Sequence, residues 1–145
     1  MNPTVPTNFP AGDRRTIRVD FTPPRPTTVP AVLLGAARIL QANGLWRGDY
    51  VPDPFNRRIN TPHASRPMSI VAAIRCAATG DPHSYSELGD TAIEVLALSI
   101  DGGPYHRDSF ALECHVDEWG GEAGRSADDA VALLESMATA PGRAA

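Results

Sequence analysis

The chain contains no lysine, so all 13 of the basic side chains among its 145 residues are arginines. Alanine is abundant at the same time. This combination is typical of a GC-rich genome, in which arginine is the default cation. The number of arginines is therefore weak evidence for phosphate binding, and their positions have to carry any argument.

Cysteine is scarce, and long apolar runs are absent. Cys76 and Cys114 lie far apart and show no paired metal-ligand spacing, which favours buried thiols in a reducing compartment over a disulfide. No apolar run approaches the roughly 18 residues of a membrane span, and the N-terminus lacks the charged and apolar regions of an export signal. We therefore predict a cytoplasmic protein without a membrane partner.

Charges of opposite sign are divided between the two halves of the chain. Residues 1–75 hold ten arginines and four acidic residues, whereas residues 76–145 hold three arginines and thirteen acidic residues. The halves have formal charges of +6 and −10, although the net charge is only −4. Such a division predicts internal attraction, self-association, or an anionic partner on the basic half.

Proline is concentrated at the start of the chain. Seven of the 14 prolines lie in residues 1–30, a segment poor in large apolar side chains, so we predict an extended Pro/Thr-rich arm over residues 1–27. Within it, alternation in Thr16–Phe21 predicts one short strand. The remaining length suits one helical domain over residues 28–140, followed by a tail over residues 141–145.

Apolar periodicity and capping residues predict four helices. The first begins after Thr28 and ends at Gly44, and the second begins at a Ser65 cap and ends before Gly80. The third opens at the Ser84-x-x-Glu87 pattern, and the fourth runs from Ser126 to Pro141. We predict a mainly α fold, a small bundle of about four helices.

The segment from Phe110 to Val116 is ambiguous, because apolar and polar residues alternate along it. It is either a strand or the frayed end of a helix. As a strand it would pair with residues 16–21 or with the loop after the first helix, which would add a short two-stranded β element.

The long connection between the first two helices interleaves aromatic and basic residues. Stacking rings beside guanidinium groups are what single-stranded nucleic acid or a nucleotide requires. Alternatively the aromatic residues fold back as a lid over the helices, while the arginines meet the acidic half. The candidate binding residues, including one tryptophan from the acidic half, are Trp46, Arg47, Tyr50, Arg57, Arg58 and Trp119.

Residue types that could support catalysis lack a defining spacing. As neighbours on a strand, Cys114 and His115 would point to opposite faces. His106, His115 and Asp117 match no usual zinc pattern, and no phosphate-binding glycine loop precedes a lysine. We therefore predict no metal and no cofactor, and an enzyme is the less favoured class.

Several short motifs resemble a family of small uncharacterised actinobacterial proteins over about residues 31–140. The motifs are Ala36-Ala37, Leu40, Gly44-Leu45-Trp46, Gly48, Tyr50, Ser69–Ile74, Trp119, Arg125-Ser126, Val131 and Leu134. The resemblance implies a compact, mostly helical domain of actinobacterial or phage-related origin and no transferable activity. Where the family has cysteines and an Asn-Asp pair, this chain has Arg47, Ser69 and Gly120-Gly121.

Three functions remain open at this point. The leading hypothesis is a non-enzymatic interaction or regulatory module that docks to a protein partner or to itself. The alternative is a nucleic-acid-binding accessory protein that uses the basic half, with Arg14 and Arg15 joining Arg57 and Arg58 on phosphate. The second alternative is a small enzyme with a site near Trp119.

Overall fold

The computed structural model describes residues 24–100 and 107–140. Within these residues the chain forms five α-helices and one short 3-10 turn, His63–Ser65, and no strand. Leu45 and Met68 form a single parallel bridge. The helices, in chain order, are α1 Val29–Asn43, α2 Ile70–Thr79, α3 Glu87–Ser99, α4 Ser109–Gly120 and α5 Ala127–Thr139. The mainly helical prediction is confirmed, but the prediction of about four helices is not, since five are described.

The first and last helices begin where the capping residues predict. Thr28 accepts a hydrogen bond from Ala31 N–H at the start of α1, and Pro30 occupies its first turn. At α5, Ser126 and Asp129 form a reciprocal capping box. Side-chain caps satisfy backbone donors that the helix itself leaves open, so these starts are set locally.

Helix α2 begins later than the sequence predicts, with Ser69 as its N-cap instead of Ser65. Arg66 precedes a proline and is extended, at φ −89° and ψ 161°, because the proline ring disfavours a helical conformation in the preceding residue. Met68 N–H then donates to Gly44 O at 3.2 Å, and Trp46 N–H donates to Met68 O at 2.9 Å. This tertiary pairing keeps residues 66–68 out of the helix.

The alternating segment from Phe110 to Val116 is part of a regular helix, α4, which corrects the β prediction. Asp108 caps it by accepting from Ala111 N–H. Only Leu112, Val116 and Gly120 are buried, and their spacing of four residues is helical. Phe110 is 75% exposed, so the alternation is not an alternation of burial. The other predicted strand, Thr16–Phe21, lies outside the described residues.

Helix α3 also begins two residues later than predicted, since Ser86 rather than Ser84 caps it through Gly89 N–H. Ser84 instead donates its hydroxyl to Asp81 in the preceding turn. The shift shows that two serines in the same local context compete for the cap, and the turn decides between them.

Helix α2 is the centre of the core. It contacts α1, α3 and α4, and every residue from Ile70 to Ala77 is buried, Arg75 included. Helix α1 packs mainly against α5 and α2, and α3 packs mainly against α4. A helix that is buried all round needs neighbours on every side, so α2 determines how the outer helices are arranged.

Candidate functional site

Arg75 is the most unusual residue of the core, because its guanidinium lies in the middle of the apolar helix α2 and is 1% exposed. It forms an ion pair with Glu113 on α4 and donates from Nη1 to the Tyr50 hydroxyl at 2.7 Å. Tyr50 in turn donates to Glu113 Oε1 at 3.1 Å. The three side chains form a closed network that joins the loop after α1 to α2 and α4.

Two aromatic rings complete the surroundings of Arg75. The guanidinium carbon lies 4.1 Å from the centroid of the Tyr85 ring and 5.2 Å from that of Tyr50. Burial opposes the charge, but the bond to Tyr50 and the charge of Glu113 outweigh it and raise the pKa of Arg75. Burial also raises the pKa of Tyr50. Arg75 therefore stays cationic and Tyr50 stays a neutral phenol.

Asp117 lies one helical turn beyond Glu113 on α4 and faces the start of α2. Its Oδ1 accepts from Val71 N–H at 3.0 Å. Gly120 allows this approach, since a Cβ there would come within 3.0 Å of Ile70 Cδ1. Desolvation raises the pKa of Asp117 to about 6, against the opposing hydrogen bonds from Val71 and Ser69. Asp117 is thus a carboxyl group that titrates near neutral pH.

The outer surface of α4 and the loop after α1 enclose a cleft made of two adjoining hollows of about 430 and 410 Å³. Both hollows contain Asp49, Cys114 and Asp117. We call this surface the acidic cleft. Its remaining lining residues are Arg47, Gly48, Tyr50, Phe110, Glu113, Glu118 and Gly121.

The loop that forms one wall of the acidic cleft is held by Arg66, which is 2% exposed. Its guanidinium donates to the carbonyl oxygens of four loop residues and to the Asn56 side chain, so all five N–H groups are used. The four carbonyl groups belong to Pro52, Asp53, Ile59 and Thr61. The loop is therefore organised around a buried cation.

Asp53 and a histidine pair add further constraints to this loop. The Asp53 carboxylate accepts from the backbone N–H groups of Arg57, Arg58 and Ile59, which lowers its pKa. His63 Nδ1 lies 2.8 Å from His83 Nε2, which connects the loop to the turn before α3. The His83 ring meets the Tyr50 ring edge-on at 5.9 Å. These contacts position Tyr50 over Arg75.

The six residues predicted from the sequence lie in three regions: the acidic cleft and its edge, the stack of Arg125 on Trp119, and an exposed turn. Arg47 and Tyr50 line the acidic cleft. Arg47 also donates to the carbonyl oxygen of Arg125 at 2.5 Å, and the Arg125 guanidinium stacks 3.7 Å from the Trp119 ring centroid. Trp46 lies beside Gly48 and is 38% exposed.

Arg57 and Arg58 form the third region, an exposed turn closed by Asp53. Phe55 is 78% exposed there, and the Arg57 guanidinium lies 5.9 Å from its ring centroid. These two arginines are not among the lining residues of the acidic cleft. The predicted lid over the helices is therefore formed only in part, because Tyr50 is partly buried whereas Phe55 is exposed to solvent.

Sequence reasoning missed Arg75, Glu113 and Phe110. The signal for Arg75 is present, since an arginine within the run from Ile70 to Ala77 has to find a buried partner. The strand interpretation hid the signal for Glu113 and Asp117, because four residues span about 13 Å in a strand but only about 6 Å in a helix. Arg75–Glu113 is also the one ion pair among the described residues that joins the basic half to the acidic half.

Among the described residues, this site lacks the side-chain arrangements on which metal binding or nucleophilic catalysis depends. The described residues contain no group of three or more histidine, cysteine or acidic side chains that could hold a metal ion. Burial raises the pKa of Cys114, and neighbouring carboxylates raise it further, so its thiol stays protonated at neutral pH. His115 Nε2 is buried and has no hydrogen-bond partner in the described part of the chain.

Over residues 24–100 and 107–140, the fold and the cleft define a mainly helical domain of five α-helices built around a central buried helix, with an acidic cleft on one side. Over residues 24–140 the chain matches the family described as "Family of unknown function (DUF6197)", and it belongs to that family. The predicted resemblance to an uncharacterised family is thereby confirmed. No curated protein and no solved structure matches the chain. None of the described helices is long and apolar enough to span a bilayer.

Proposed function

We propose that this domain is a protein-interaction module whose acidic cleft receives a cationic side chain, arginine or lysine, from an exposed segment of a partner. The observation that carries the proposal is the lining of the cleft. The carboxylates of Asp49 and Asp117 lie in the same hollow as the Tyr50 and Phe110 rings. Carboxylates beside aromatic faces are the surroundings that guanidinium and alkylammonium groups prefer.

Charge balance within the cleft supports a cationic ligand. Glu113 is already paired with Arg75, and Arg47 is engaged with the backbone of Arg125. Asp49, Asp117 and Glu118 remain, and no ion pair involves them among the described residues. Burial makes the carboxylate of Asp117 costly to ionise. An incoming cation would stabilise the ionised form, and this compensation would contribute to the free energy of binding.

The size and exposure of the cleft also fit a side chain of a partner. Hollows of about 430 and 410 Å³ lie in the range of ligand-binding pockets. Phe110, at 75% exposed, adds apolar surface to the lining of the cleft, against which the aliphatic part of an arginine or lysine side chain can pack. The proposal describes a non-enzymatic interaction role, and self-association through an arginine of a second copy is one form of it.

The test is a nuclear magnetic resonance titration with N-acetyl-arginine amide, using the matched citrulline compound as an uncharged control. We expect the arginine compound to shift the amide signals of Asp49, Cys114 and Asp117, and the citrulline compound to leave them in place. Asp117→Asn should weaken binding about tenfold, which is about 1.4 kcal/mol. Glu94→Gln on the exposed face of α3 is the matched control variant. Equal shifts with both compounds would refute the proposal.

A second candidate function is nucleic-acid binding through the exposed turn that carries Phe55, Arg57 and Arg58. It is favoured by the exposure of all three side chains on a loop that Arg66 and Asp53 hold in shape. An exposed ring beside two guanidinium groups suits a single strand. A mobility-shift titration at low salt tests this function, because phosphate contacts are strongest there. No shift, or a shift that Arg57→Gln with Arg58→Gln leaves unchanged, excludes it.

An enzyme with a site near Trp119 has no comparable support. Among the described residues, His115 Nε2 forms no hydrogen bond with an acidic side chain. The Arg125 guanidinium covers one face of the Trp119 ring. Asp117 alone could exchange a proton near neutral pH, but general acid-base catalysis needs a positioned substrate or nucleophile as well. We therefore base the proposed function on binding.

A further inference from the structure

A second hollow, of about 560 Å³, lies on another part of the surface and shares no lining residue with the acidic cleft. Its walls are α1, the end of α2, and the chain just before α1. We call it the arm groove. Its lining residues are Pro24, Arg25, Pro26, Ala31, Gly35, Arg38, Ile39, Ala64, Cys76, Ala77 and Gly80.

Small side chains make the floor of the arm groove. A Cβ on Gly35 would come within 3.1 Å of the Ala77 Cβ, so α1 and α2 approach each other closely at this point. Close backbone approach leaves a shallow apolar trough above the helix pair, with Ile39 at its side. Such a trough is suited to an extended segment that inserts alternate side chains.

The chain itself enters the fold at this groove. Pro24, the first described residue, and Pro26 are part of its lining. The Arg25 guanidinium lies against Gly80, where any side chain would overlap it. Gly80 is the C-cap of α2, and a cation at a helix C-terminus is favourable. The 23 residues that precede Pro24 are therefore attached directly to one wall of the groove.

We propose that the arm groove binds residues 16–21 of the same chain. In this segment Ile17, Val19 and Phe21 alternate with Arg18 and Asp20, so an extended conformation presents one apolar face. Six extended residues span about 20 Å, which is enough to cover the part of α1 that lines the groove, since Ala31 to Ile39 span about 12 Å. Only Thr22 and Pro23 separate the segment from the groove wall, which gives it a high effective concentration there.

The occupant is the chain's own arm and not a second copy, because this short connection favours intramolecular over intermolecular contact. The prolines around the connection reduce the entropy that docking removes. The groove thus anchors the Pro/Thr-rich arm on the domain, at a surface that shares no lining residue with the acidic cleft.

Cys76 lines the groove and gives a native probe for occupancy. In a Cys114→Ser background, Cys76 is the single thiol, and its reaction with a thiol reagent reports its access to solvent. Replacing Ile17, Val19 and Phe21 together by serine should speed this reaction at least about fivefold, because the arm no longer covers the thiol. Replacing Val5 and Phe9 by serine, in the distal part of the arm, is the matched control and should leave the rate unchanged.

Dilution distinguishes the arm of the same chain from that of a second copy. Protection of Cys76 that does not change with protein concentration supports the proposal. Protection that disappears on dilution assigns the groove to another copy and overturns it. An unchanged rate in the Ile17, Val19 and Phe21 variant also overturns it, provided that circular dichroism confirms that the variant is folded; these residues lie outside α1 to α5.

Discussion

Asp117 carries a charge that the fold disfavours, because its carboxyl group has an ordinary pKa of 3.8 and a pKa of about 6 in the folded protein. The folded chain therefore holds the proton more tightly than the unfolded chain does. The contribution of Asp117 to stability falls as the pH rises from about 4 to about 6, and its ionised carboxylate costs stability at neutral pH. A residue whose ionised side chain lowers stability is better explained by a role in binding than by a role in folding.

We predict that Asp117→Asn raises the free energy of unfolding at pH 7.5 by about 1–3 kcal/mol, from about 1.4 kcal/mol per unit of pKa. The asparagine oxygen can still accept from Val71 N–H, while the charge is gone. At pH 4 the wild-type carboxyl is largely protonated, so the gain should mostly vanish. Urea titrations at both pH values test this. A gain of equal size at pH 4 and pH 7.5 would show that charge is not the cause.

The same titration predicts how ligand binding depends on pH. A cation in the acidic cleft gains from ionised Asp117, so the affinity for N-acetyl-arginine amide should fall as the pH drops through about 6. Asp117→Asn should flatten this dependence between pH 5 and pH 7. Isothermal titration calorimetry at several pH values measures it. A pH profile identical in wild type and variant would assign the dependence to another group.

Arg75 shows how a single buried cation is tolerated. Removal of its charge leaves Glu113 without its partner in a largely buried position. We predict that Arg75→Leu lowers the free energy of unfolding by about 3 kcal/mol. The double variant Arg75→Leu with Glu113→Leu should recover more than half of that loss, because neither charge then remains unpaired. Urea denaturation of both variants, with the exposed Arg58→Gln as control, decides the point. A double variant as unstable as the single one would contradict it.

At the scale of elements, the loop between α1 and α2 is held by one guanidinium. Lysine offers three donors on a compact head and cannot reach the five acceptors that Arg66 contacts. We predict that Arg66→Lys speeds hydrogen exchange at the amides of Arg57, Arg58 and Ile59 about tenfold, while amides within α2 stay protected. Arg57→Lys, in the same loop but exposed, is the control. Unchanged exchange in Arg66→Lys would mean that Asp53 alone holds the turn.

The helices differ in how far local signals determine them. Thr28 and Ser126 cap α1 and α5 as their neighbours predict. By contrast, the start of α2 depends on the pairing of Met68 with Gly44 and Trp46, which local signals do not contain. Helix α4 has a weaker amphipathic pattern, since Phe110 is exposed and Cys114 is partly exposed. Its helical state follows from the Asp108 cap and from packing of Leu112 and Val116.

At the scale of the whole molecule, α2 connects three other helices, so the domain should unfold as one unit. Ile74 is fully buried at the centre of α2. We predict that Ile74→Ala costs about 2–5 kcal/mol and that helix loss by circular dichroism coincides with the fluorescence change of Trp46 and Trp119. Leu98→Ala, at 40% exposed, should cost far less. Separate midpoints for the two signals would reveal independent units.

The division of charge along the chain is only partly neutralised inside the described part of the molecule. Two arginines of the basic half, Arg66 and Arg75, are buried and serve the loop and the core. Among the described residues, one ion pair joins the two halves. Support for the idea that the charges are segregated to contact a partner therefore comes mainly from the acidic half, whose Asp117 and Glu118 line the acidic cleft.

By itself the sequence determined the helical class and the capped starts of α1 and α5, because caps and apolar periodicity act within about four residues of each other. Its short motifs also indicated a family of unknown function, which the match over residues 24–140 confirms. Only the tertiary structure decided the site. Arg75 and Glu113 are 38 positions apart, and Val71 and Asp117 are 46 apart. The pKa of Asp117 and the shape of the acidic cleft depend on which helices meet, and packing of the whole core around α2 sets those encounters.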